Sequence, residues 1–372
     1  MRGKRVRVPQ RRRRWPGGLA LVMLLTLAAC GGHPPTATPA PTRTPAAATP
    51  TPVSSAGLKA MIHGLVDRDG PPPSGYLGAV TNFVVDAPWS ELQPTSGGPL
   101  AAGNVIDQAI AVADSLNSAA GGPRVELKIR LMAGVDAPAW AQQLGGGPVT
   151  LVNPEDGTTG TVGRFWTDAF AQAYDQLWSE LATAYDNVPV VHEITVARCM
   201  TFTDEPFLRD TGDPANVQSL LAAGFSLSAD EQCQQQEIQI GSDWHHTRIG
   251  VAFNPYQAVQ ADGSATTDEA FTASMMEYCR SQLGPQCVLE NNSIRTPPLS
   301  GAYAKMYASM ELLGPPITFQ TATEEKIGNL QSTLEWAATI GADAVELPAQ
   351  YVDQPVASLE PAAGELQDNP VS

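Results

Sequence analysis

The stretch VVHEITVARCMTFTDEPFLRD, residues 190–210, decides how the rest of the chain is read. Its first half, VVHEITVARCM, is rich in apolar and β-branched side chains and predicts a buried strand. The second half sets Asp204, Glu205 and Pro206 where that strand should stop. A strand apolar on both faces belongs to a parallel sheet covered by helices, and such a sheet needs a helical crossover between neighbouring strands.

The chain supplies that alternation from end to end. Strand-like segments are AMIHGLV, NFVVDAPW, VELKIRLMAG, HEITVARCM, RIGVAFNP, CVLENNSI, PITFQTA and AVELPAQY. Between them lie GNVIDQAIAVADSLNSA, FWTDAFAQAYDQLWSELATAYD, DEAFTASMMEYCRSQLG, YAKMYASMELLG and IGNLQSTLEWAATIG, whose apolar residues recur at helical spacing, as in Phe165, Ala169, Tyr174, Leu177 and Leu181. Gly284, Gly314 and Gly341 close three of these helices before the next strand. Eight largely apolar strands separated by helices predict an α/β fold, a (β/α)8 TIM barrel over residues 57–353. The first crossover, DRDGPPPSGYLG, is too rich in Pro and Gly for a helix and reads as a loop. A doubly wound open sheet would need a Gly-rich phosphate turn there, which VDRDGPPPSG is not. Residues 354–372, QPVASLEPAAGELQDNPVS, read as an irregular tail.

The N-terminus reads as an address. Residues 1–29 place a basic run before the apolar LALVMLLTLAA, the layout of a secretory signal. LAAC, ending at Cys30, resembles the lipobox of bacterial lipoproteins, which implies cleavage before Cys30 and acylation of it. The arginine run also loosely matches a twin-arginine signal, so the export route stays open. Residues 30–56 then carry seven prolines between Pro34 and Pro52 and almost no large apolar side chain. That composition predicts an extended spacer of roughly 3.1 Å per residue. The expected location is the outer face of the cell membrane, with the chain held there by its lipid.

Charge narrows the partners. Eight of the 22 Lys and Arg fall in the signal and none of the 38 Asp and Glu do, so 14 basic residues face 38 acidic ones after cleavage, a net charge of −24. A nucleic-acid partner is excluded on that balance, and a carbohydrate or other neutral ligand fits better. Cys199, Cys233, Cys279 and Cys287 form an even set in an exported chain, which reads as two disulfides. Cys279 with Cys287 closes a short loop and leaves Cys199 with Cys233; the other two connectivities remain open. Zinc is a poorer reading, because the chain has no CxxC pair and His245 and His246 are adjacent. No cofactor and no metal are implied.

In a (β/α)8 barrel the site is built at the C-terminal ends of the strands. The second strand ends APWSELQPTSGG, which resembles the W-x-x-L-(E/Q)-P-x-x-G signature of barrel glycoside hydrolases such as the bacterial β-galactosidases. LKIRLMAGVDAPAW is similar to that family's third strand and its (A/G)-x-P-x-W. RFWTDAFAQAYDQLWSELATAYDNVPVVHEITVARC resembles its next helix and fourth strand, and PITFQTATEEKIGNLQSTLEWAATIGADAVELPAQY its last two βα units. The likeness covers most of residues 60–351.

This resemblance implies a general acid/base glutamate at the end of the fourth strand, and Glu205 is the residue nearest that place. A protonated carboxyl there would give its proton to the leaving oxygen. The family reads Asn-Glu, with the asparagine on a sugar hydroxyl, whereas this chain has Asp204 and Glu205. The structural alternative is a solvated loop acid or a helix cap, since TDEP can open a helix at Pro206. The family's nucleophile ends the seventh strand, where this chain has Gln320. Three readings follow: Glu346 of the eighth strand or Glu290 of the sixth substitutes, Glu324 loops back, or sugar is bound without cleavage. Glu346 is the first choice as base or nucleophile, because a charge within an apolar strand needs a role or a partner. Its alternative is a salt bridge to Arg130 or Arg198.

Trp89, Trp140, Trp244 and Tyr351 are candidates for stacking on pyranose rings, with core packing as the alternative. Gln93, Asp204, Asn254, Asn292 and Gln320 are candidates for hydroxyls. Trp166, Trp178 and Trp336 read as helix packing. The expected function is two-carboxylate glycoside hydrolysis; the alternative is a non-catalytic glycan-binding barrel, and a transporter solute-binding lipoprotein comes third.

Overall fold

The structure is a computed structural model and describes residues 57–119 and 124–369. The expected signal over 1–29, the lipidated Cys30 and the linker over 30–56 lie outside the described residues. Eight parallel strands close into a barrel: β1 Gly64–Asp67, β2 Val80–Pro88, β3 Leu127–Met132, β4 Val191–Thr195, β5 Arg248–Ala252, β6 Cys287–Ile294, β7 Ile317–Thr321 and β8 Ala344–Leu347. Each strand pairs with its sequence neighbours, and β1 pairs with β8 through Val66 opposite Glu346. All eight expected strands are present; six are shorter than the apolar runs, β6 matches its run and β2 starts earlier, at Val80.

Helices cover the outside: α1 Val105–Asn117, α2 Asp168–Tyr185, α3 Pro214–Ala222, α4 Leu227–Gln239, α5 Glu269–Leu283, α6 Gly301–Leu313, α7 Leu330–Thr339 and α8 Val356–Asp368. The β1–β2 crossover is a loop, as its prolines and glycines require. α1 is set by Asn104, whose side chain accepts from the Ile106 and Asp107 amides. α5 and α6 end where Gly284 and Gly314 take positive φ, 55° and 69°.

Two elements correct the sequence reading. The β4–β5 crossover contains α3 and α4, and α4 hid because its surface is glutamine and acid with only Cys233 and Ile238 as buried apolar anchors. The tail expected to be irregular after residue 354 is α8, the eighth helix of the barrel. Pro361 sits inside it, yet Leu359, Ala362, Ala363 and Leu366 bury one stripe at helical spacing against β1 and α7. That burial outweighs the one amide the proline removes. Two antiparallel hairpins, Val149–Val152 with Thr159–Val162 and Tyr256–Val259 with Ala265–Asp268, extend from the strand C-terminal ends. The disulfides are Cys199–Cys233 and Cys279–Cys287, the pairing favoured by loop length. Among the described residues no helix is long and apolar enough to cross a membrane.

Candidate active site

Alternation along β3 places Lys128, Arg130 and Met132 on one face and Leu127, Ile129 and Leu131 on the other. The second face packs under the helices. The first crosses the interior of the barrel, because Lys128 Nζ lies 2.9 Å from Glu193 Oε1 on β4, 2.6 Å from Glu290 Oε2 on β6 and 2.9 Å from Glu346 Oε1 on β8. All four side chains are fully buried. Room for Glu290 comes from Gly250 on β5, where a Cβ would stand 1.5 Å from Glu290 Oε1. Burial would lower the Lys128 ammonium, but the three carboxylates outweigh it and hold its pKa well above the lysine range. Burial raises Glu290 well above the carboxylate range, with Lys128 opposing and Glu193 and Glu346 adding to the shift.

One layer further up, Arg130 closes the top of this cluster. Its Nε is 2.8 Å from Asp204 Oδ2, one Nη is 3.0 Å from Asp86 Oδ1, and the other donates to Gln320 Oε1 at 2.7 Å and to Glu346. Glu346 is therefore ion-paired through both oxygens. Burial would raise its carboxyl, yet Arg130 and Lys128 together hold it below its ordinary value. Arg130 is the partner that the salt-bridge alternative named; Arg198 is not, and binds the Cys233 carbonyl and Gln236 instead. Gln320 lies opposite Glu346 in the β7–β8 register.

The segment 201–210 neither opens a helix at Pro206 nor lies loose in solvent. Its near end meets the loop after β3, where Val135 donates to the Thr201 carbonyl at 2.9 Å and Gly134 has no Cβ to block that carbonyl. At the far end Phe207 and Arg209 are wholly buried, and Arg209 Nε donates to Asp230 Oδ2 at 2.8 Å. Held at both ends, the loop turns Asp204 in to Arg130 and leaves Glu205 half-buried beside it. Asn254 donates to Glu205 Oε1 and Thr203 to Oε2, each at 2.9 Å. Burial lifts the Glu205 carboxyl to about 7, with the charge of Asp204 adding and those two hydrogen bonds opposing. Near neutral pH this group both holds and releases a proton.

A cavity of about 490 Å³ opens at this end of the barrel. Asp204, Glu205, Asn292 and Gln320 line it, as the sequence reading has them. Asn254 is buried behind the wall and acts by holding Glu205. The other expected contacts are elsewhere. Trp89 is wholly buried and packs edge-on against Trp140, Phe170 and Tyr174 in the helix layer. Gln93 accepts from the Trp89 indole and donates to the Gly98 carbonyl, while the Trp140 indole donates to the Gln93 carbonyl. Trp244 packs on Trp178, and Tyr351 is buried with its hydroxyl 2.7 Å from Asp67 Oδ2. The single helical turn Trp89–Leu92, directly after β2, explains the first group. It carries the ring outward over the strands, away from the mouth.

The rings that do line the cavity are Phe202 and Tyr303, joined by Arg68, Asp86, Arg130 and Arg295. Arg130 and Lys128 were detectable from the alternating LKIRLM, whose two basic residues share a face. Phe202 and Tyr303 carried no comparable signal. Glu155, on the loop of the first hairpin, reaches the rim and pairs with Lys326 at 2.7 Å.

No protein-family model matches the chain, and no curated protein does. Among solved structures, the cold-adapted β-galactosidase from Rahnella sp. R3 aligns at 13% identity with a TM-score of 0.50, over 87% of this chain and 58% of its own. The β-galactosidase from the psychrophilic Marinomonas ef1 aligns at 11% identity and a TM-score of 0.45, over 82% and 59%. The catalytic domain of the Paenibacillus polymyxa β-amylase gives 12% identity and 0.43, over 82% and 95%. The chain thus spans less than three fifths of either β-galactosidase. Its structural neighbours are glycoside hydrolases, and what it shares with them is the closed, eight-stranded parallel barrel flanked by helices.

Proposed function

We propose that the strand-end cavity binds a carbohydrate and that the barrel does not cleave it. One observation carries this reading: Gln320 stands at the end of β7, and Arg130 holds both it and the neighbouring Glu346. An amide cannot form the glycosyl ester, and Glu346 would have to leave two cations to attack an anomeric carbon. The cavity offers what a sugar site needs, namely Phe202 and Tyr303 as flat apolar surfaces and Asn292, Glu205 and Gln320 as hydrogen-bonding groups. The glycoside hydrolase neighbours support carbohydrate as the ligand class. Calorimetric titration with an oligosaccharide panel tests it: Tyr303→Ala should weaken binding by about tenfold, the share of one aromatic contact. A variant that binds like wild type would remove Tyr303 from the site.

A second reading, hydrolysis with Glu205 as general acid and Glu346 as base or nucleophile, is favoured by the Glu205 carboxyl, which titrates near neutrality. In that case Glu205→Gln should lower turnover about 10² to 10⁴-fold while glycan binding persists. The signal, the lipobox at Cys30 and the proline spacer support export and lipid anchoring at the outer membrane face. Cys30→Ser should then release the chain from the membrane fraction, and labelled fatty acid on that variant would refute the assignment.

A further inference from the structure

The cavity's free cations gather on one part of its wall. On the side of β2 to β4 stand Asp86, Asp204 and Glu205, the first two paired with Arg130. On the opposite side, after β6 and β1, stand Arg295 and Arg68, with the exposed Asp69 next to Arg68; neither arginine forms a salt bridge among the described residues, and Arg68 acts on Glu346 only at longer range. The two arginines belong to one sector of the rim. Ile294, the residue before Arg295, pairs with Thr321 at the end of β7, and Arg68 donates to the Thr321 carbonyl at 3.0 Å. Each guanidinium is held in place with donors to spare. Arg68 uses one N–H on that carbonyl, and Arg295 lies over the Tyr303 ring, 4.9 Å from its centroid. Tyr303 in turn donates to Asn254 Oδ1 at 3.3 Å, so Arg295 rests on the same assembly that holds Glu205. The third cation of that side, Lys326, is already paired with Glu155.

Two unpaired arginines on one cavity wall are unexpected in a chain of net charge −16, where acidic partners are plentiful. A neutral sugar needs no such wall, since amides and hydroxyls satisfy its hydroxyl groups. The planar fork of arginine matches a carboxylate, and a local cationic wall offsets the repulsion an anion meets from an acidic protein. We propose that the bound glycan is acidic, a uronic-acid oligosaccharide whose carboxylate is taken by Arg295 and Arg68. This inference rests on the carbohydrate-binding reading and adds the substrate class to it.

The test pairs each of three trisaccharides, of galacturonic, glucuronic and mannuronic acid, with its methyl ester, which keeps the sugar and removes the charge. They are titrated calorimetrically into the full chain beside a panel of neutral oligosaccharides. At least one acid should bind about tenfold more tightly than its ester, the share of one charge-assisted contact. The preference should shrink as salt rises. Arg68→Gln and Arg295→Gln should each reduce it, and the double variant should bind acid and ester equally, with an unchanged urea-unfolding midpoint as the control for folding. Esters or neutral sugars binding as tightly as the acids, or a double variant that keeps the preference, would overturn the inference and leave the carbohydrate reading standing. Absence of binding by every acid, ester and neutral sugar would overturn both.

Discussion

Arg130 donates to Gln320 Oε1 at 2.7 Å and, through the same nitrogen, to Glu346, so that one guanidinium ties the end of β7 to β8. Below it Lys128 joins Glu346 to Glu193 and Glu290. The interior of this barrel therefore holds an ion-pair lattice beside a small apolar cluster of Ile62, Val66, Val84 and Ala344, while the main apolar core lies between strands and helices. Buried pairs of this kind add little net stability when intact and cost much when one partner is removed.

Lys128→Met tests the lattice. The substitution keeps the volume but leaves three buried carboxylates facing one another without their shared cation, which should cost about 3–5 kcal/mol in urea unfolding. A loss below about 1 kcal/mol, the scale of an exposed pair, would mean that these carboxylates are hydrated.

Gly250→Ala probes the same interior from the backbone. The new methyl would stand 1.5 Å from Glu290 Oε1, so β5 or the Glu290 side chain must move. A loss of about 3 kcal/mol is expected from overpacking. An unchanged denaturation midpoint would show that Glu290 does not cross the barrel here.

Glu205 gives the protein a pH signature. Its carboxyl rises from 4.5 to about 7 in the folded chain, so the folded state binds more protons than the unfolded one between those values. The stabilisation is complete below about 4.5 and is lost as pH rises through 7. Glu205→Gln has no proton to lose, so its melting temperature should gain on wild type between pH 5 and pH 8. A constant difference across that range would mean that Glu205 is ionised throughout.

The disulfides should differ in weight. Cys199–Cys233 closes 34 residues and Cys279–Cys287 closes 8. Loop closure predicts about 3–4 kcal/mol for the longer and about 2–3 kcal/mol for the shorter. Replacing each pair by alanine and comparing unfolding midpoints checks the order; equal losses would show that chain entropy does not govern them.

The barrel was legible because its signal is repeated. Eight apolar runs alternate with helical periods, and the outward faces of the strands obey the same rule in every unit. Glu205 and Gln320 were legible as strand-end residues for the same reason. The tail reads as irregular, yet α8 forms there because the Leu359–Leu366 stripe packs on β1 despite Pro361. Trp89, Trp140 and Tyr351 take the core-packing alternative, because a residue name at a strand end does not say which way the next turn carries its ring. The arginines at 68 and 295 sit in loops whose course no periodicity records, so their convergence on Thr321 emerges only from the closed barrel.

Binding without turnover is read directly by time-resolved NMR of the full chain with neutral and acidic oligosaccharides. Line broadening reports binding and new anomeric signals report cleavage. At least one oligosaccharide should show saturable broadening, reduced in Tyr303→Ala, with no new anomeric signal beyond the protein-free control. Release of reducing ends by wild type that vanishes in Glu205→Gln would contradict it and establish Glu205 as the acid of a working hydrolase.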